Sequence, residues 1–150
     1  MESENSLADK LITEHGRELE MLFSYIPYFS SKDKEFAKAY DGSQGESNLA
    51  FPVYDSVLLD FVKKASKTKI MNRNYPYVYS RHRLRTHDDE RKFIENSTIR
   101  DTDALFGIMS KYVLEGFRRG PAWPEGAYEG IYLGVLLKLK ELIDFYRKLK

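Results

Sequence analysis

At 150 residues the chain is long enough to bury a core without disulfide or metal staples. With 42% hydrophobic and 31% charged residues it reads as soluble and globular, and the absence of cysteine excludes disulfides, thiolate catalysis and Cys-ligated zinc. The net charge is only +1, and no apolar run approaches the roughly 18 residues that span a bilayer, which argues against a membrane partner.

The acidic start, "MESENSLADK", has no apolar stretch and reads as no secretory signal, so a cytoplasmic location is expected. Ser6 and Asp9 form an S-x-x-D capping pattern that predicts a helix start at Ser6. Leu7, Leu11, Leu19, Leu22, Phe23 and Ile26 continue at helical spacing, and Pro27 is expected to end the helix. Residues 30–53 are polar and rich in Gly, Ser and Asp, which predicts a long loop with at most one short helix at Asp33–Tyr40. Asp41-Gly42 and Gln44-Gly45 add turn signals. Asp55 then caps a helix carrying Val57, Leu58, Phe61 and Val62.

Tyr75, Tyr77 and Tyr79 recur with period two, which suits a strand, although Pro76 weakens a strand and is tolerated at the start of a helix. Both conformations stay open at this point. Thr86 and Asp89 repeat the capping pattern ahead of Phe93 and Ile94, placing Asp88, Asp89 and Glu90 in a first helical turn. A further helix from Asp101 or Thr102 carries Leu105, Ile108, Met109, Tyr112 and Val113 and stops at Gly116 and Gly120. Pro124 is expected to open the last helix, with Gly130–Lys148 continuous and Ile131, Val135, Leu139 and Leu142 on its buried side. The pattern predicts a mainly α single domain, 1–150, of five or six helices with a long polar loop near residues 30–53.

Charge is unevenly spread. Residues 1–60 hold five Lys/Arg against twelve Asp/Glu. Residues 61–87 hold eight cations (Lys63, Lys64, Lys67, Lys69, Arg73, Arg81, Arg83, Arg85) and no acid. Such a segment either marks an anionic partner or folds back on the acidic N-terminal third.

The C-terminal third, "LFGIMSKYVLEGFRRGPAWPEGAYEGIYLGVLLKLKELIDFY" (Leu105–Tyr146), resembles a bacterial and phage family of domains of unknown function. The resemblance rests on Gly116, Arg118 or Arg119, Gly120, Trp123, Glu129 and Gly130, with a second element in "LFSYIPYF". It leaves Lys63–Thr86 outside. It implies a helical fold and a bacterial or phage origin, and it supplies neither a reaction nor catalytic residues.

No phosphate-loop or nucleophile-elbow motif occurs. His87 and Glu90 have the i, i+3 spacing of a shared helix face, but His82 lies across an expected boundary, so no metal ligands, cofactor or catalytic residues are assigned. His87, Asp88, Asp89 and Glu90 are expected to be structural. The favoured function is a non-catalytic accessory or inhibitory protein that binds a macromolecule through a basic, tyrosine-rich surface: Tyr75, Tyr77, Tyr79, Arg81, Arg83 and Arg85. A protein partner ranks first. Direct DNA or RNA binding ranks second, because Arg and Tyr also bind phosphates and stack on bases, while a pI near 7.8 is low for a dedicated binder. A third reading is a small-anion receptor or enzyme built on Arg118, Arg119 and Trp123. Self-association stays open.

Overall fold

The computed structural model describes residues 3–32, 34–40 and 51–148. Eight α-helices are present among them, more than the five or six expected, because two expected helices are each divided in two. Helix α1 (Glu4–Phe23) starts earlier than its sequence pattern suggests: Ser3, not Ser6, is the cap, and its hydroxyl accepts the Ser6 N–H at 3.1 Å. Pro27 does not end α1. It lies in the first turn of a separate helix, α2 (Ile26–Ser30), where its missing N–H has no intrahelical partner to lose.

The polar segment 30–53 is not all loop. Strands β1 (Ala37–Tyr40) and β2 (Phe51–Tyr54) pair antiparallel, with Ala37 opposite Tyr54 and Tyr40 opposite Phe51. The short helix expected at Asp33–Tyr40 is therefore replaced by β1; Asp33 and both turn signals, Asp41-Gly42 and Gln44-Gly45, lie outside the described residues. Tertiary contacts override the local pattern here. Phe36 is buried in the core, and the Tyr128 hydroxyl accepts its N–H at 2.9 Å, fixing the strand's start.

Helix α3 (Ser56–Ser66) is capped by Asp55, whose carboxylate accepts the Val57 N–H at 3.2 Å. The ambiguous tyrosine segment is a helix, α4 (Tyr75–Arg81), with Pro76 in its first turn. Thr86 and Asp89 form the expected capping box at the start of α5 (His87–Asn96). A short 3-10 turn at Ile99–Asp101 leads into α6 (Thr102–Glu115), which is enclosed by its neighbours from Ala104 to Ser110. Val78 of α4 rests on Gly107 of α6, where an added Cβ would come within 2.8 Å of a Val78 methyl.

Pro124 does not open the final helix. It belongs to α7 (Ala122–Tyr128), and the chain turns at Gly130, φ 73°, into α8 (Ile131–Lys148). Among the described residues, Gly130 is the glycine whose backbone needs the left-handed region. Ile131, Val135 and Leu139 are fully buried on α8, as expected, while Leu142 is half-buried.

Side chains from α1, α2, α3, α5, α6, α7 and α8 join one hydrophobic cluster, with α6 and α8 at its centre. Among the described residues no helix is long and apolar enough to cross a membrane.

Candidate functional site

Helix α4 separates the tyrosines that the sequence places side by side. Residues four apart share a helix face, and residues two apart do not. Tyr75 and Tyr79 are half-buried, whereas Tyr77 is 54% exposed and accepts a hydrogen bond from Arg81 at 3.0 Å. The six expected partner-binding residues therefore do not form one continuous surface. Tyr77, Arg81, Arg83 and Arg85 stay outside, and Tyr79 turns inward.

All eight cations of residues 61–87 are exposed. Among the described residues only Lys64 pairs with an acidic side chain, Asp60 at 3.3 Å. The segment does touch the acidic N-terminal helix through its backbone, where the Lys69 N–H donates to Glu18 at 3.0 Å. Its cationic side chains, however, are not neutralised by folding back. Arg83 takes a positive φ of 55° in the tight connection between α4 and α5, which leaves Arg83 and Arg85 at the surface on either side of buried Leu84.

The inward side of α4 meets a network that the sequence reading takes for helix-capping acids alone. Glu90 is 2% exposed and its carboxylate is enclosed by donors. The Tyr79 hydroxyl donates to Oε2, and the Tyr112 hydroxyl lies 2.7 and 2.8 Å from the two oxygens. His87 Nδ1 lies 2.8 Å from Oε1. Burial raises both tyrosine hydroxyls well above their ordinary range, and the Glu90 carboxylate raises them further, so both remain donors. Its neighbour Asp89 does act as a cap: the backbone N–H groups of Arg85 and Thr86 hold its carboxyl below the usual carboxylate range.

The second ring nitrogen of His87, Nε2, lies 3.1 Å from Glu125 of α7. The imidazole thus lies between a buried carboxylate and one at the surface. Together with Tyr79, Arg85 and Lys111, these groups line a cleft of about 310 Å³. The Lys111 ammonium sits 4.9 Å and 4.8 Å from the ring centroids of Tyr79 and Tyr112, a cation–π placement that holds it over the cleft wall. No group of three His, Asp or Glu side chains suited to a metal ion occurs among the described residues.

Near the N-terminal end of α4 a second depression of about 520 Å³ is lined by Arg73, Tyr75, Leu114, Phe117 and Arg118. Phe117 is 54% exposed there. The trio Arg118, Arg119 and Trp123 is not one site. The Trp123 indole N–H donates to the Val113 carbonyl at 2.9 Å, and its ring packs against Tyr54 and Phe117. Arg119 reaches Glu125 at 3.9 Å, and Arg118 lines the second depression together with Arg73.

Sequence reasoning misses Glu90, Glu125 and Lys111 as parts of a cleft, and Tyr112 as a partner of Glu90. The one local signal is the i, i+3 spacing of His87 and Glu90. Tyr112 and Glu125 arrive from α6 and α7, and nothing in their own neighbourhoods marks them. Compared with known proteins, the chain matches no family model, no curated protein and no solved structure.

Proposed function

We propose that the protein binds an acidic surface of a partner protein through the exposed cationic segment that runs from the end of α3 to the connection between α4 and α5. One observation carries this reading: eight cations without an intervening acid are all exposed, and seven of them have no acidic side-chain partner among the described residues. Leaving like charges unpaired is unfavourable for the isolated molecule and favourable for meeting a surface of opposite sign. Tyr77 and Arg81, hydrogen-bonded and exposed beside this charge, are of the residue types that anchor interfaces. On this reading the protein acts as an accessory or inhibitory factor.

A second reading, a single-stranded nucleic acid, is favoured by the depression of Arg73, Tyr75, Phe117 and Arg118, which places guanidinium groups beside aromatic faces. A labelled 20-mer strand titrated at about 50 mM salt tests it, because phosphate-driven binding is strongest at low salt and weakens as salt rises. No binding discards the second reading. The first is tested by affinity capture from a lysate of the native host with the parent and with the Arg81→Glu, Arg83→Glu, Arg85→Glu triple variant, read by mass spectrometry. An acidic protein retained by the parent and lost by the variant is the expected result. The same proteins retained by both overturn it.

A further inference from the structure

We propose that the cleft between α4, α5, α6 and α7 is a phosphate-monoester site, in which the ligand's phosphate replaces the Glu125 carboxylate at His87 Nε2 and is gripped by Lys111 and Arg85. The proposal shares Arg85 with the partner-binding segment and otherwise rests on the charge balance of the cleft. Glu90, its one buried carboxylate, also lines the cleft, but it already faces the Tyr79 hydroxyl, the Tyr112 hydroxyl and His87 Nδ1, so its charge is met by these groups. The cleft side is left with two cations, Lys111 and Arg85, neither of which pairs with an acidic side chain among the described residues. It also carries Nε2, whose present neighbour is the carboxylate of Glu125, 3.1 Å away and 35% exposed.

Glu125 therefore shows what the cleft accepts: an anionic oxygen at hydrogen-bond distance from an imidazole nitrogen. A phosphate monoester supplies the same oxygen and two more, enough to satisfy the ammonium and the guanidinium together. Arg119, 3.9 Å from Glu125 Oε1, is placed to take up the displaced carboxylate. The buried partners of Glu90 keep the imidazole oriented without rearrangement, and the Lys111 ammonium is held over two rings whose hydroxyls are already engaged. The volume of about 310 Å³ suits a phosphate with a small organic group and excludes a folded domain.

The phosphate can come from a free metabolite-sized ester or from the end of a nucleic-acid strand, and the probes separate these sources. Calorimetric titration of the full chain at about 150 mM salt uses inorganic phosphate, AMP, adenosine, and a ten-nucleotide strand with and without a 5′-phosphate. AMP is expected to bind and adenosine not to bind. Enhancement of strand binding by the 5′-phosphate assigns the terminal source, and its absence assigns the free ester. Lys111→Met keeps the aliphatic stem and is expected to weaken AMP binding about tenfold, the loss of one charge-assisted contact. Glu125→Gln removes the competing carboxylate and is expected to tighten binding severalfold, a gain that damage to the fold does not mimic. Equal heats from AMP and adenosine, or Glu125→Gln binding AMP no better than the parent, overturn the proposal. If Lys111→Met proves unfolded by circular dichroism, the Glu125→Gln titration decides alone.

Discussion

Two sides of one short helix behave differently. On the outer side of α4, Tyr77 and Arg81 meet solvent and each other. On the inner side, two residues further along from Tyr77, the Tyr79 hydroxyl reaches a carboxylate that is almost wholly buried. The residue types are similar, and their neighbours differ. Against water a tyrosine–arginine pair contributes little, because both groups are hydrated when apart. Against α5 and α6, a tyrosine hydroxyl becomes a required partner, because a buried carboxylate that loses a donor has no water to replace it.

The largest effect expected from this contrast comes from removing the hub. Glu90→Ala leaves the Tyr79 and Tyr112 hydroxyls and His87 Nδ1 without their shared acceptor, and it should lower stability by about 3–5 kcal/mol in chemical denaturation, as for a broken buried charge network. A change below about 1 kcal/mol would mean that water enters the network. Next comes the matched pair of hydroxyl deletions on the two sides of α4. Tyr79→Phe should cost about 1.5–3 kcal/mol, the range for a hydrogen bond to a charged group. Tyr77→Phe should stay within about 0.5 kcal/mol, as at an unremarkable surface position. Equal costs would erase the distinction between the two sides.

Smaller effects sharpen it. Thr86→Ala removes the hydroxyl that accepts the Asp89 N–H at 3.1 Å and should cost roughly 0.5–2 kcal/mol by thermal or chemical melting, a capping loss that leaves the hub in place. One further change has the opposite sign. The Tyr132 hydroxyl is buried and has no hydrogen-bond partner among the described residues. Burial pushes its titration well up, with the charge of Glu125 adding to it, so it remains a neutral, unsatisfied group. Tyr132→Phe removes that group and keeps the ring, and it should raise stability by about 1 kcal/mol. Loss of stability instead would show that the hydroxyl has a water partner.

The capping pattern at Thr86 and Asp89, the cap at Asp55 and the buried stripe of α8 were legible in the sequence because each depends on residues within a turn or two of one another. The boundary at Pro27 was misread because proline both follows helices and opens them, and which it does depends on what the next turn packs against. Phe29 of α2 is held in the core, so the chain re-enters a helix there. The strand at Ala37–Tyr40 was hidden for a similar reason: its partner Phe51–Tyr54 lies beyond a stretch of turn residues, and its start is fixed by Tyr128.

Local chemistry in the sequence therefore determined the helical character, the caps and the uneven spread of charge. The tertiary structure alone decided which of three similar tyrosines reaches the buried carboxylate of Glu90, that Glu90 is a hub beyond its place among the first-turn acids, and that Glu125 meets His87. Helix periodicity shows which residues share a face, but not what covers that face. Here α6 and α7 cover it, bringing Lys111 and Glu125, 21 and 35 positions from Glu90, into one cleft.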